Sequence, residues 1–248
     1  MKKIISLILA LAMIFTLAVS MTACGQKEKT LVMGTEAAFP PYEFVDDNGK
    51  ITGIDPEIAQ AVADKLGMKL EIKSMDFDSL LPAVQGKSID FALAGMTVTE
   101  ERKLSVDFSD TYAKGVQVVI IKETSDIASI DDLTGKTIGV QKGTTGDVYC
   151  TDDFGQDNVK QYDNGALAVA ALNSDQVDCV VIDNEPAKSF VAANKGLKIL
   201  ETEYANEDYA AAFAKDNTEL KDSFNKALQE LKADGTLDKI IAKYIPAE

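Results

Sequence analysis

One arginine in the chain has neighbours that suit the binding of a carboxylate. Arg102 follows the segment from Gly95 to Thr99, just beyond the apolar run 89–93, which places it at the start of a predicted helix. A guanidinium presents N–H donors in a planar fork that matches the two oxygens of a carboxylate. The alternative is a surface arginine paired with Glu101 or Asp107, and composition alone favours that alternative.

A glycine-rich turn lies farther along the chain. Gly143-Thr144-Thr145-Gly146 follows a predicted strand over residues 137–140 and opens a helix. Free N–H groups and the helix dipole make such a turn an anion site. The turn lacks the Gly-Lys-Ser/Thr ending of a P-loop and the spacing of a dinucleotide fingerprint, so no nucleotide or other cofactor is expected. A plain tight turn is the alternative.

The third candidate is a carboxylate at the end of an apolar strand. Asp183 follows Val180, Val181 and Ile182. Ligands of open α/β sheets bind outside the carboxyl ends of the strands. The alternative role of Asp183 is to cap a helix that starts near Glu185. Together, the arginine, the glycine turn and this aspartate could hold both ends of a zwitterion.

Composition excludes several other chemistries. The chain has no histidine, so histidine-based nucleophilic catalysis is excluded and a zinc site of the usual ligands is not expected. The formal net charge of −15 disfavours nucleic acid and anionic membrane surfaces as partners. Cys150 and Cys179 could form a disulfide in an oxidising compartment or remain buried thiols.

The N-terminus has the pattern of a secretory signal. Lys2 and Lys3 precede an apolar run over residues 4–19, and small residues then precede Cys24. The apolar run is short for a membrane span, which needs roughly 18 or more apolar residues, although an uncleaved anchor helix is the alternative. Either interpretation places the rest of the chain outside the cytoplasm.

The segment from Met21 to Gly25 resembles the lipobox of bacterial lipoproteins, with Met21 where leucine is usual. The resemblance implies a lipoprotein signal peptide over residues 1–23, a diacylated Cys24 and a tether over residues 24–29. Two acyl chains anchor a protein stably where one does not. The chain is therefore expected to be extracytoplasmic and anchored by lipid to the bacterial cell membrane.

Strand and helix patterns alternate after the tether, which predicts an α/β fold. A hairpin is predicted around Asn48-Gly49, and Gly67 and Gly235 are predicted to end helices. Two lobes joined by strand crossovers fit this order better than two independent domains, and a cleft between the lobes is the expected ligand site. Strands are predicted at 30–34, 70–72, 89–93, 116–121, 137–140, 159–162 and 180–182, and helices at 58–66, 80–84, 166–172, 185–194, 220–231 and 240–244.

Several motifs occur in order along the chain and carry a family resemblance. They are Gly34 to Phe44, Gly53 to Ile58, Asp76 to Pro82, Leu93 to Lys103, Phe108 to Asp110, Gly143 to Thr145 and Asp234 to Lys239. The chain resembles the family 3 extracellular solute-binding proteins of polar amino acid ABC importers, which include glutamine-binding and lysine/arginine/ornithine-binding proteins. Pro56 departs from the aliphatic residue usual in the family, but proline is tolerated in a first helical turn.

The resemblance implies a type II periplasmic-binding-protein fold. Each lobe is then an open mixed sheet flanked by helices, with the ligand cleft between the lobes. The first lobe is expected to comprise residues 30–112 and 208–248, and the second lobe residues 113–207. The protein is expected to be a monomer.

The resemblance also implies how the common part of an amino acid would be held. Arg102 would bind the α-carboxylate through two hydrogen bonds, and Thr97 and Thr145 would add backbone or hydroxyl donors to it. Asp183 and the carbonyl group of Gly95 would hold the α-ammonium.

Other residues would contact the side chain of the ligand. Phe39 and Phe77 would sandwich it, and Glu36 and Gln141 would reach its tip. A buried carboxylate at Glu36 needs a cationic partner, so a basic amino acid is expected, arginine ahead of lysine. If Glu36 instead faced solvent or paired with Lys142, a neutral ligand such as glutamine or cystine would fit better.

These inferences predict a binding protein without catalytic residues, which passes its ligand to an ABC permease with ATPase subunits. Two other classes remain open. Periplasmic cyclohexadienyl dehydratases resemble these proteins, so an enzyme on the same fold is one. A receptor sensor domain is the other, although no second membrane segment or signalling domain is apparent before Glu248.

Overall fold

Strands and helices alternate along the chain, as predicted. The computed structural model describes residues 29–200 and 202–246. The signal peptide, Cys24 and most of the tether lie outside the described residues. Among the described helices, none combines the length and the apolar composition needed to span a membrane.

The first sheet is mixed and has five strands in the order β5-β1-β6-β14-β7. Strand β1 runs parallel to β5 and β6, whereas β14 runs antiparallel to β6 and β7. Its strands are β1 (Thr30–Thr35), β5 (Lys69–Ser74), β6 (Phe91–Ala92), β7 (Val106–Phe108) and β14 (Ala212–Ala214). A smaller antiparallel sheet beside it contains β2 (Ala38–Phe39), β3 (Glu43–Val45) and β4 (Ile51–Thr52).

Five described helices belong with these two sheets. They are α1 (Ile54–Leu66), α2 (Phe77–Gln85), α3 (Glu100–Ser105), α7 (Thr218–Ala233) and α8 (Thr236–Tyr244). Helix α1 has the sequence features that predict a helix and its end. Ile58 and Val62 are fully buried on one face, and Gly67 ends the helix in the left-handed conformation, at φ 65°.

The second sheet is also mixed and has the strand order β10-β9-β11-β8-β12, with β13 paired to β8. Strands β10, β9 and β11 are parallel, and β8 runs antiparallel to its neighbours. The strands are β8 (Ala113–Lys122), β9 (Ile138–Gln141), β10 (Val159–Tyr162), β11 (Cys179–Asp183), β12 (Leu197–Ile199) and β13 (Ala205–Tyr209). Helices α4 (Thr145–Phe154), α5 (Gly165–Asn173) and α6 (Asn184–Ala193) flank this sheet.

Two neighbouring strands carry the chain between the sheets. The chain leaves the first sheet after β7, enters the second sheet in β8, and returns through β13 to β14. Strands β8 and β13 pair with each other from Ala113↔Tyr209 to Gln117↔Ala205. The fold is therefore the predicted two-lobed arrangement of mixed sheets, with its lobes joined by strand crossovers. The residues at which one lobe gives way to the other remain a prediction.

The structure differs from the sequence-based expectations mainly in short strands. The strand predicted over 89–93 is only two residues long in β6. Strands β2, β7, β12, β13 and β14 were not predicted. Short edge strands carry few residues of alternating pattern, and β13 contains the charged residues Glu207 and Asp208, which disguise it.

The two cysteines of the second lobe are not joined. Cys150 on α4 and Cys179 on β11 are buried free thiols in the same hydrophobic cluster. Burial raises the pKa of both thiols far above the ordinary value for cysteine. The interpretation as buried thiols therefore holds, and the disulfide does not form in this structure.

Candidate ligand-binding cleft

The candidate residues lie where parallel strands of both sheets end. Glu36 follows the last residue of β1, and Gly95 comes three residues after β6. Gln141 ends β9 and Asp183 ends β11. The carboxyl ends of the two sets of strands face each other across the cleft, which is where open α/β folds bind ligands.

These residues line one cavity between the lobes. Every residue predicted to contact the ligand lines this cavity, together with Glu43, Ala94 and Thr144, which were not predicted. The predicted residues are Glu36, Phe39, Phe77, Gly95, Thr97, Arg102, Gln141, Thr145 and Asp183. Their contacts with a ligand remain a prediction.

Arg102 is held by backbone carbonyl groups on both sides of the cleft. Its Nη1 donates to the carbonyl oxygen of Thr97 at 2.8 Å, and its Nη2 donates to that of Gly143 at 3.1 Å. The guanidinium lies over the ring of Phe77, 5.4 Å from the centroid. Asp107 instead pairs with lysines of the same lobe. Arg102 is therefore not the surface arginine paired with Asp107 that composition favoured, and its remaining N–H groups are available to a carboxylate.

Thr97 presents its backbone rather than its hydroxyl group to the cleft. Its hydroxyl donates to Oε2 of Glu207 at 2.8 Å. Thr97 and Tyr209 form an isolated antiparallel bridge, flanked by the hydrogen bonds Val98 N–H to Asp208 and Ala210 N–H to Met96. In that arrangement the N–H and C=O groups of Thr97 point away from Tyr209. Its carbonyl meets Arg102, so its N–H group is left as the donor on the same side.

The glycine turn places the N-terminus of a helix at the cavity, but one of its backbone N–H groups already donates to an acidic side chain of the same helix. Thr144 caps α4 by accepting from the N–H group of Asp147 at 3.3 Å. The Asp147 carboxylate accepts from the N–H group of Gly143 at 2.9 Å. Thr145 is the first helical residue, and first-turn N–H groups have no partner within the helix. An anion could therefore bind at Thr145 rather than at the glycine.

Asp183 is buried and is held by a tyrosine rather than by a helix. It precedes α6, but its side chain makes no capping bond there. Its Oδ1 accepts a hydrogen bond from the hydroxyl group of Tyr209. Burial raises the pKa of Asp183 to about 7, and the nearby charge of Glu207 adds to the shift. A cation bound beside this carboxylate would lower its pKa again, because an opposite charge favours the ionised form.

Glu36 is buried and does not pair with the nearby lysine. It is 8% exposed, and its Oε2 accepts from Nε2 of Gln141 at 3.4 Å. Lys142 instead forms an ion pair with Asp78 of the opposite lobe at 2.7 Å. Burial raises the pKa of Glu36 to about 7. Both arrangements that would have left the pocket tip neutral, with Glu36 facing solvent or bound to Lys142, are absent from this structure.

The two phenylalanines each have one face already covered. Phe39 stacks on Tyr42 at a centroid separation of 5.9 Å, and Phe77 lies under Arg102. Gly95 approaches Phe39 so closely that a Cβ atom there would lie 2.8 Å from the ring, and its φ of +52° also favours glycine. The uncovered ring faces could contact the stem of a ligand.

Several buried polar residues around the cavity were not predicted from the sequence. Glu207 accepts from Thr97 and from Nε2 of Gln117 at 3.1 Å, and it is 6% exposed. Glu43 and Asp55 are fully buried beside Gly95. The available signal was an acidic residue inside an otherwise apolar motif, as at Glu43 between Tyr42 and Phe44. Such acids are almost never fully buried without a partner.

Buried carboxyl groups therefore outnumber the cation at this site. Arg102 is the only lysine or arginine that lines the cavity among the described residues. The buried carboxyl groups in or next to the cavity are Glu36, Glu43, Asp55, Asp183 and Glu207. Buried acids need compensating charge or protons, so the site favours a ligand with more cationic than anionic groups.

A cleft between two mixed α/β lobes, lined by groups that complement a zwitterion, defines the two-lobed class of solute-binding proteins. The chain belongs to the bacterial extracellular solute-binding proteins, family 3, whose family model matches residues 31–247. The sequence-based family resemblance is thus confirmed.

Similar proteins agree with this assignment and are binding proteins rather than enzymes. The arginine-binding extracellular protein ArtP of Bacillus subtilis (strain 168) is 36% identical over 260 residues, which cover 100% of both chains. An ancestral arginine-binding protein bound to arginine is 47% identical, with a TM-score of 0.82 over 88% of this chain and 98% of that chain. An ancestral arginine-binding protein bound to glutamine is 45% identical, with a TM-score of 0.85 over 90% of this chain and 100% of that chain.

Proposed function

We propose that this protein is the substrate-binding component of an amino acid ABC importer and that it captures a basic L-amino acid, arginine ahead of lysine. The observation that carries the proposal is Glu36, a buried carboxylate at the cavity, while Lys142 pairs with Asp78 instead. A guanidinium at the tip of a ligand would supply the missing cation. It could also donate a hydrogen bond to Gln141 and lie against the faces of the phenylalanine rings.

The similar proteins support this choice of ligand. ArtP is named for arginine, and an ancestral relative was found with arginine bound.

Lobe closure would bring residues of both lobes into contact with the ligand. Arg102 in one lobe already contacts Gly143 in the other. No step of covalent chemistry is needed, so the protein acts as a carrier and not as an enzyme. It would deliver its ligand to a permease driven by ATPase subunits.

Glutamine is the second candidate ligand. An ancestral arginine-binding relative was found with glutamine bound, and Gln141 could hydrogen-bond an amide as well as a guanidinium. A neutral ligand would leave Glu36 without a counter-charge. It would then bind best when Glu36 is protonated, whereas a cation binds best when Glu36 is ionised.

Calorimetric titration of the wild-type protein and Glu36→Gln with arginine, lysine and glutamine tests the choice of ligand. We expect Glu36→Gln to weaken arginine binding by roughly tenfold or more, since it removes one partner of a buried charge pair. Binding of glutamine should not weaken. Glu100→Gln is the matched control, because Glu100 is an exposed acid that pairs with Lys103 on α3, away from the cavity. Tightest binding by an uncharged amino acid, unaffected by Glu36→Gln, would overturn the basic ligand.

The pH dependence of arginine affinity should follow from the same carboxyl groups. The pKa values of Glu36 and Asp183 are about 7 in the empty protein, and a bound cation lowers them. Binding therefore releases protons at neutral and lower pH, and the affinity for arginine should fall as the pH drops below about 7. Measured from pH 5 to 9, Glu36→Gln should show a shallower fall than the wild-type protein. An affinity that rises as the pH falls would contradict this sign.

We also propose that Cys24 is lipidated and anchors the protein outside the cytoplasm. The Cys24→Ser variant should appear as a soluble protein in the medium or periplasm, because it lacks the thiol that would carry the acyl chains. Fractionation of cells that express both forms measures the shift. Cys150→Ser is the matched control, since that thiol is buried in the second lobe. Membrane association that survives in Cys24→Ser would mean that the apolar run over 4–19 is the anchor.

A further inference from the structure

Two fully buried acids lie side by side next to the ligand cavity. Glu43 on β3 pairs with Phe39 across the small sheet and lines the cavity, and Asp55 lies in the first turn of α1 behind it. The two carboxyl groups interact directly: each affects the pKa of the other, although neither donates a hydrogen bond to the other while both are ionised. Neither residue has a role in the clamp predicted from the sequence.

The hydrogen bonds of the two acids are distributed unequally. Oδ2 of Asp55 accepts from the N–H group of Gly95 at 2.9 Å and from the hydroxyl group of Tyr112 at 2.8 Å. Oδ1 of Asp55 and both oxygens of Glu43 receive no hydrogen bond from a donor among the described residues. Within these residues there is also no cluster of acidic or sulfur ligands arranged to hold a metal ion.

An ionised carboxylate can only accept hydrogen bonds, so two ionised acids in this contact would repel each other and leave three buried oxygens unsatisfied. One proton between them removes the repulsion and gives a partner to two of the three oxygens. We propose that Glu43 is a protonated acid that donates to Oδ1 of Asp55, and that ionised Asp55 holds Gly95 in place at the cavity.

The surroundings indicate which of the two acids keeps the proton. Burial raises the pKa of Glu43 well above its ordinary value, and the charges of Asp55, Glu36 and Asp183 add to the shift. Burial also raises the pKa of Asp55, but only to about 6, because the donors Gly95 and Tyr112 stabilise its ionised form. Asp55 therefore loses its proton first.

The acid pair has a consequence for the ligand, which rests on the proposed function. Gly95 is in the left-handed conformation at φ +52°, and its carbonyl group is a predicted acceptor for the α-ammonium. The hydrogen bond from its N–H group to Asp55 fixes the peptide that precedes this carbonyl. A neutral Glu43 also leaves Glu36 and Asp183 as the ionisable acids that line the cavity, which matches the two cationic groups of arginine. Glu43 is then a positioning residue and not a counter-ion.

Infrared spectroscopy of the empty protein tests the shared proton without any ligand. At about pH 9, some two units above the pKa of about 7 of Glu36 and Asp183, those acids are ionised. The wild-type protein should still show a carboxylic acid C=O band, and that band should be missing from Glu43→Gln. No such difference between the two spectra would overturn the proposal. Because this readout needs no amino acid, it stands even if the proposed function fails.

Arginine binding by two variants tests the positioning role. Glu43→Leu removes the donor to Asp55 and should weaken arginine binding by roughly tenfold or more, because a buried acceptor is left unsatisfied. Glu43→Gln restores an N–H donor and should recover affinity to within about threefold of the wild-type protein. If Glu43 were instead an ionised contact to the ligand, Glu43→Gln would lose as much affinity as Glu43→Leu, and that result would overturn the proposal. Thermal melting confirms that each variant is folded, and if Glu43→Leu is not, Glu43→Gln alone decides.

Discussion

Arg102→Ala is expected to abolish measurable binding of arginine while the protein remains folded. Loss of one partner from a desolvated charge pair typically costs about 2–5 kcal/mol, which is roughly thirty-fold or more in affinity. Arg102 also holds the carbonyl groups of Thr97 and Gly143, so the alanine variant loses a bond across the cleft as well. Isothermal titration calorimetry with arginine measures the loss.

Two comparisons separate loss of the carboxylate contact from general damage. Lys103→Ala removes a cation from the same helix. Because Lys103 forms an ion pair with Glu100 at the surface, this variant should bind arginine normally. Agmatine lacks the carboxylate of arginine, so Arg102→Ala should weaken the binding of agmatine far less than that of arginine. Normal binding of arginine by Arg102→Ala would contradict the predicted contact between Arg102 and the α-carboxylate.

Asp183→Asn should weaken the binding of every amino acid by a similar factor, again roughly thirty-fold in affinity. The asparagine oxygen can still accept from the hydroxyl group of Tyr209, so the cleft should keep its shape while the charge that faces the α-ammonium is lost. Titrations with arginine and glutamine should show equal losses. Glu36→Gln is the useful contrast, since it should affect the basic ligands alone.

The deaminated analogue 5-guanidinovalerate provides the matched ligand for Asp183. It keeps the carboxylate and guanidinium of arginine but has no ammonium, so Asp183→Asn should not weaken its binding. A double-mutant cycle between the two proteins and the two ligands isolates the coupling energy of this contact. A coupling close to zero would remove Asp183 from the ammonium site.

Much of the fold could be predicted from the sequence because its helices carry clear periodicity and clear ends. Helix α1 has buried Ile58 and Val62 one turn apart and ends at Gly67. Strands of two or three residues were predicted less well. Strand β14 consists of Ala212, Phe213 and Ala214, a run too short to distinguish from other buried segments, and only its neighbours β6 and β7 make it a strand.

The residues of the site that could be predicted depend on local sequence or on the family resemblance, and those that could not depend on tertiary contacts. Position at strand ends brought Asp183 to the cleft, and the family resemblance brought Arg102, which composition had favoured as a surface residue. Glu207 could not be predicted, because its strand pairs with β8 and its partner Thr97 is 110 residues distant in the chain. Asp55 could not be predicted as a residue of the site either, since its bond to Gly95 is likewise a contact between distant segments.

Gly143 has a consequence for how affinity can vary among such proteins. Its φ of +76° is a conformation that residues with side chains rarely adopt, so any substitution strains the turn. A Cβ atom there would also lie 3.0 Å from Cβ and 3.4 Å from Cα of Asp78 in the opposite lobe. Neither atom can rotate away, so the two lobes would have to separate by a few tenths of an ångström to admit a side chain. Substitutions at Gly143 would shift the equilibrium between closed and open lobes towards the open form. They would lower the affinity for all ligands by a similar factor, so affinity can change without a change in selectivity.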